Sequence, residues 1–137
     1  MKELTVKAEV KNLGQVTAFV DAELEALDCS PKAQMQIDVA IDELFGNIAQ
    51  YAYENGEGDA TVRVDYDEPN RTVILTFLDS GVPFNPLERE EPDISVPAEE
   101  RGIGGLGIFL VRKTMDQVDY RYENRMNILT VRKKVDA

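Results

Sequence analysis

The sequence predicts a two-layer α/β sandwich, with three helices covering one face of a sheet. Three observations lead there. Five short segments, at residues 2–10, 61–67, 72–78, 118–122 and 128–133, carry strand signals. Three longer ones, at 15–27, 31–53 and 106–116, repeat apolar residues at helical spacing. The resulting order, β-α-α-β-β-loop-α-β-β, groups strands beside helices without an internal repeat or an interdomain linker.

Each element has its own reason. Residues 2–10 alternate apolar Leu4, Val6, Ala8 and Val10 with polar Thr5, Lys7 and Glu9, as a half-buried strand does. Asn12-Leu13-Gly14 reads as a turn. Val16, Phe19, Val20, Leu24 and Leu27 then form one helical face. Ser30 is a natural N-cap and Pro31 a natural first residue for the second helix. That helix is expected to run through Met35, Ile37, Val39, Ile41, Leu44, Phe45 and Ile48 to about Tyr53, before Gly56 and Gly58 end it. Residues 61–67 alternate again. Residues 72–78 are more uniformly apolar, which predicts a central strand buried on both faces.

Residues 80–104 break the pattern. They hold Pro83, Pro86, Pro92 and Pro97, six acidic residues from Glu88 to Glu100, and Gly102 and Gly104. So long a connection in a small domain predicts a functional loop or lid, placed at 85–104 and expected to resist protease only with ligand bound. Residues 106–116 return to helical spacing, and two strands close the chain.

Composition excludes several chemistries. The chain has 137 residues, enough for one domain over 1–137 that buries roughly two-thirds of its unfolded surface. It contains no His, which rules out Ser-His-Asp and Cys-His catalysis and an imidazole zinc site. A general base must be a carboxylate, Lys or Tyr. Cys29 is the single cysteine, so no internal disulfide forms, as suits a reducing cytoplasm. No apolar run reaches membrane-spanning length and no signal-peptide core follows Met1, so no membrane association is expected. A net charge of −11 argues against nucleic acid as a partner.

Three places could carry chemistry. Glu43 and Asn47 share a helix face at i and i+4. They suit either a solvated polar stripe or a carboxylate and amide oxygen for a hard cation and a positioned hydroxyl. Asp79-Ser80-Gly81 follows an apolar strand, as an ordinary turn or as a carboxylate aimed at a ligand amino group. Gly102, Gly104, Gly105, Leu106 and Gly107 run into a helix, as a hinge or as an anion site of free amides. The run lacks the Lys-Ser/Thr of a Walker loop and the βαβ setting of a dinucleotide fold.

Taken together, Glu43-x-x-x-Asn47, Asp79-x-Gly81 and Gly105-Leu106-Gly107 resemble, in order and placement, the N, G1 and G2 boxes of the gyrase, heat-shock chaperone, histidine-kinase and mismatch-repair ATPases. The stretch Tyr51-Ala52-Tyr53-Glu54-Asn55-Gly56 and the run from Gly104 through Val111 to Met115-Asp116 further resemble the bacterial anti-sigma-factor serine/threonine kinases of partner switching. The resemblance spans about residues 4–133. It implies the Bergerat ATP-binding fold, with a mixed, mostly antiparallel sheet. It implies ATP and Mg²⁺ as cofactors, with Asn47 as the metal ligand and Glu43 as the catalytic base for a serine hydroxyl. Asp79 would accept from the adenine amino group, Gly81 would allow close approach, and Gly102, Gly104, Gly105, Leu106 and Gly107 would surround the phosphates. The implied partners are a small STAS-like antagonist, a sigma factor and a second copy of the chain. The competing reading is a nucleotide-dependent sequestering module that phosphorylates nothing. Three positions depart from the family pattern: Tyr51 where relatives often carry a basic residue, Met126-Asn127-Ile128 in place of Gly-Thr, and Arg101, further from the Gly-Leu-Gly core than the lid arginine the family leads one to expect.

Overall fold

A computed structural model of the chain describes residues 1–53, 56–88 and 105–136. Five strands form one sheet: β1 (Lys2–Lys7), β2 (Asp59–Asp67), β3 (Thr72–Asp79), β4 (Gln117–Glu123) and β5 (Met126–Lys134). Their order across the sheet is β1-β2-β3-β5-β4, and every neighbouring pair is antiparallel. Three helices, α1 (Leu13–Ala26), α2 (Pro31–Asn47) and α3 (Gly105–Thr114), pack over one face.

The core lies between the layers. Val16, Val20 and Leu24 descend from α1 at four-residue steps, and Ile37, Ile41, Leu44 and Phe45 from α2. Ile108, Val111 and Met115 come from α3 and the turn after it. They meet Val62 and Val64 of β2, Leu75 and Phe77 of β3, and Leu129 and Val131 of β5. Ser30 caps α2 as its sequence predicts, its hydroxyl accepting from the Ala33 amide at 3.1 Å, with Pro31 behind it. At the far end of α3, the buried Lys133 ammonium donates to the Thr114 carbonyl at 2.7 Å, satisfying a helix-terminal acceptor with a cation.

Element existence follows the sequence expectation, and several boundaries do not. The first strand ends at Lys7, because the Lys7 carbonyl accepts from the Glu9 amide and from Asn12 Nδ2 at 2.9 Å and turns the chain early. The second helix stops being α-helical at Asn47 and widens into a π-turn over Ile48–Ala52. The Ala52 carbonyl there accepts from the Val82 amide at 2.9 Å instead of serving the helix. The outer face of strand β3 is partly covered, as Thr72 and Leu78 are buried there. Val73, Leu75, Phe77 and Asp79 face the helices and are buried, whereas Ile74 and Thr76 look outward and are half-buried. Register explains their partial shielding: Arg132 stands opposite Ile74 and Arg63 opposite Thr76, so arginine stems flank them.

One pair of carboxylates lies outside the functional region. Asp21 of α1 and Asp38 of α2 each have a buried Oδ1 that no donor among the described residues reaches. A proton held by Asp38 and donated to Asp21 would supply such a bond. Burial, the bond to Asp21 and the charges of Asp21 and Asp42 push Asp38 up to about 7. The native state therefore holds a proton that the unfolded chain releases near pH 4. This stability contribution is fully present below about pH 4 and is lost as pH rises through about 7. Asp38→Asn should raise Tm at pH 8 by roughly 4 °C, on the order of 1 kcal/mol after solvent screening, and flatten the pH slope. Thermal denaturation of both proteins from pH 4 to pH 8 checks it, and an unchanged slope in the variant would exclude that proton.

Candidate functional site

The end of α2, the π-turn, the end of β3 and the start of β5 converge on one pocket. Its walls include Leu44, Asn47, Ala52, Phe77, Asp79 and Asn127, together with Val82, Phe84 and Pro86 from the segment after β3. The free space is about 40 Å³, room for a water or two. That space is too small for a flat heteroaromatic ring without some movement of the lining. The Phe84 ring packs on Tyr51 at 5.8 Å between centroids, so Tyr51 stands behind one of the lining residues.

Glu43 and Asn47 sit one turn apart on α2, both half-buried, and Asn47 Nδ2 donates to Glu43 Oε1 at 3.3 Å. That contact engages the amide nitrogen of Asn47 and leaves its carbonyl oxygen for another partner. The other Glu43 oxygen lies against the first turn of α3. A Cβ on Gly107 would fall 2.0 Å from Glu43 Oε2, so any larger residue there would push this carboxylate out of its present position. The glycine-rich segment and the α2 carboxylate, distant in sequence, are thus adjacent. Gly105 and Leu106 open α3, whereas Gly102, Gly104, Arg101 and the lid beyond Glu88 lie outside the described residues.

Asp79 is 5% exposed at the last position of β3. Its Oδ1 accepts from the Gly81 amide and from Asn127 Nδ2, both at 2.9 Å. Among the described residues nothing bonds Oδ2, so the turn and ligand readings of this residue are compatible: one oxygen shapes the turn and the other is left to the pocket. Burial pushes the carboxyl up from its usual range, and the bonds from Asn127 and Gly81 pull it back down. Gly81 is required by contact. A Cβ there would lie 2.2 Å from the Ala52 carbonyl oxygen, a backbone atom of the π-turn. Tyr53 locks the same corner, its hydroxyl donating to the Asp59 carbonyl at 2.7 Å and accepting from the Ser80 amide at 2.8 Å.

Sequence reasoning missed Asn127 as part of this site and treated it only as a departure. It is 6% exposed and directly opposite Asp79 in the β3–β5 register. The signal was available: Asn127 occupies the inward phase of β5 with Leu129 and Val131, where an apolar residue is expected. Tyr120, whose hydroxyl donates to Asn127 Oδ1, was missed with it.

Chemically, the site offers a buried acceptor, Asp79, and an amide, Asn47, bonded to the Glu43 carboxylate beside the pocket. Among the described residues, no cation lines the pocket and no three carboxylate or thiol groups gather as a metal cage. That donor set fits Mg²⁺, which uses few protein ligands and takes the rest from phosphates and water.

Residues 6–133 match the family described as histidine kinase-like ATPase domain. The chain is 27% identical over 131 residues to the serine-protein kinase RsbW of Listeria monocytogenes, covering 93% of this chain and 82% of that protein. It is 35% identical over 95 residues to the protein of the same name in Bacillus thuringiensis, covering 66% and 58%. Among solved structures, it resembles the histidine kinase domain of a blue-light activated kinase from Erythrobacter litoralis EL346, with a TM-score of 0.55, 12% identity and 90% and 61% coverage. The catalytic domain of the histidine kinase ThkA gives a TM-score of 0.52 at 12% identity, covering 99% of both chains. At such identities the structural likeness speaks for the fold.

Proposed function

The chain belongs to the histidine kinase-like ATPase domain family, and from that premise we propose that it is an ATP-dependent protein serine/threonine kinase acting as an anti-sigma factor. Relatives named serine-protein kinase support this reading. So does the presence of Asn47 and Asp79 in the lining of one pocket, with Glu43 hydrogen-bonded to Asn47 one turn away, which is the observation that carries it. The acceptor is a serine of a small STAS-like antagonist, and a sigma factor is the protein sequestered. The site of action is the cytoplasm, and the active unit is a pair of chains. No helix among the described residues is long and apolar enough to cross a membrane.

Asp79 Oδ2 accepts from the exocyclic amino group of adenine at the apolar end. Gly81 keeps the wall close enough for that contact. Gly105 and Gly107 turn backbone amides of the first α3 turn toward the phosphates, joined by Gly102, Leu106 and Gly104. Asn47 places its carbonyl oxygen beside the phosphates as a ligand for Mg²⁺. When bound, Mg²⁺ neutralises the charge developing on the transferring phosphoryl group. Glu43 orients the incoming serine hydroxyl and takes its proton as the new O–P bond forms and the bond to the β-phosphate oxygen breaks. ADP leaves, and phosphoserine remains on the antagonist. This chemistry needs positioning and one carboxylate more than a strong base, consistent with a chain that has no His.

Radiolabelled Mg-ATP mixed with the protein and a serine-bearing antagonist should label the antagonist. Mg-ATP alone, at about 100 times its Kd, should add roughly 2.7 kcal/mol of stability. Binding without any labelling would leave a sequestering module. Absence of both would remove the nucleotide assignment itself.

A further inference from the structure

Asn127 is saturated. Its Nδ2 donates to Asp79 Oδ1 and to the Val82 carbonyl, both at 2.9 Å. Its Oδ1 accepts from the Phe84 amide at 3.1 Å and from the Tyr120 hydroxyl. All four hydrogen-bonding positions of the amide are therefore used, at a residue 6% exposed. The orientation is unambiguous, since a backbone carbonyl only accepts and a backbone amide only donates. Flipping the side chain would break both of those bonds and set the Asn127 oxygen against an Asp79 oxygen. The surroundings thus oblige Asn127 to present N–H to Asp79.

We infer that Asn127, held by Tyr120 and by the Val82–Phe84 backbone, is a positioning residue that keeps Asp79 a pure hydrogen-bond acceptor and so makes the pocket select a 6-amino purine over a 6-oxo purine. The inference rests on the reading of Asp79 as the purine acceptor. Its logic is chemical. An ionised Asp79 has only lone pairs to offer, which suit an exocyclic NH₂ and repel a carbonyl oxygen. A protonated Asp79 becomes a donor and reverses that preference. Burial favours the protonated form, and the Asn127 and Gly81 hydrogen bonds oppose it. The other titratable groups facing Asp79 are Tyr53, from the end of the π-turn, and Tyr120, from β4. Both are pushed above the ordinary tyrosine range, chiefly by burial, and stay neutral near pH 7, with Asp59 and Glu88 beyond them. Among the described residues no cation shares the work of Asn127.

The test compares Mg-ATP with Mg-ITP, its 6-oxo counterpart, by calorimetric titration from about pH 6 to about pH 9. The proteins are wild type, Asn127→Leu and Tyr120→Phe. Wild type should bind ATP with nearly constant affinity and ITP more weakly throughout. Asn127→Leu removes a bond that lowers the Asp79 pKa, so the carboxyl gains a proton as pH falls. Its ATP affinity should drop roughly tenfold at the acid end and recover at the alkaline end, while the preference over ITP narrows at the acid end. Tyr120→Phe should move the same way by less. A loss of equal size at every pH, or no loss, would mean that Asn127 only supports the fold, and would overturn the inference while the kinase reading stands. If Asn127→Leu fails to fold, Tyr120→Phe decides: a pH-dependent preference supports the inference and a pH-flat one overturns it. Wild type binding neither nucleotide overturns both.

Discussion

Glu43→Gln is expected to lower phosphate transfer to a serine-bearing antagonist by about 10²–10⁴-fold, the usual contribution of a general base, while leaving the Kd for Mg-ATP within about twofold. The geometry favours a clean separation. Glutamine keeps the length and planarity that fit between α2 and the first turn of α3, where Gly107 leaves room for the side chain. It also keeps one acceptor oxygen for Asn47 Nδ2, so the neighbouring amide remains oriented. What it loses is the capacity to take a proton. Initial transfer rates at saturating Mg-ATP, set beside calorimetric affinities, give the two numbers required. Asn47→Ala should behave differently, weakening Mg²⁺-dependent binding and transfer together, because it removes the proposed metal ligand. Full transfer by Glu43→Gln would assign the proton to another group or to the substrate. Loss of ATP binding by that variant would make Glu43 part of the binding surface instead of the base.

The two ends of this site differ in how far the sequence reveals them. Glu43 and Asn47 are legible because a helix places i and i+4 on one face, and the periodicity of residues 31–47 fixes that helix. Asp79-x-Gly81 is legible as a strand end followed by a turn, and the structure adds that its glycine answers to the Ala52 carbonyl. The π-turn over Ile48–Ala52 is not legible. The local pattern continues as helix through it, and the bond from the Val82 amide to the Ala52 carbonyl at its end joins segments about 30 residues apart. Asn127 was visible as a polar residue in an inward phase, but its purpose depends on pairing β5 with β3 in a register that puts it opposite Asp79. Sheet register across 48 residues of sequence is long-range information. The partial exposure of the outer face of β3 at Ile74 and Thr76 was hidden for a related reason, since both read as buried until the helices prove to lie on one side only.

Asp79→Asn is expected to weaken Mg-ATP binding by about 10²-fold or more, and the structure says which way the new amide must point. At present Oδ1 accepts two N–H bonds, from Gly81 and Asn127. Asn127 cannot turn to accommodate a donor, because the Val82 carbonyl and the Phe84 amide fix its own orientation. The oxygen of the introduced amide must therefore take the place of Oδ1, which puts its NH₂ where Oδ2 now meets the pocket. A bound adenine would then find a donor facing its own amino group. A charge-assisted hydrogen bond, about 1.5–3 kcal/mol, would be lost, and a buried donor left unsatisfied would cost about 1–3 kcal/mol more. Burial of Asp79 keeps water from relieving that mismatch. The free protein should be less affected, since amide and carboxyl have nearly the same shape and the two Oδ1 bonds are retained. Calorimetric titration with Mg-ATP, alongside thermal denaturation without nucleotide, separates the effects. An affinity loss of the predicted size with Tm unchanged within about 3 °C is the expected result. Wild-type affinity in this variant would show that Asp79 shapes the turn at Gly81 and reads no purine.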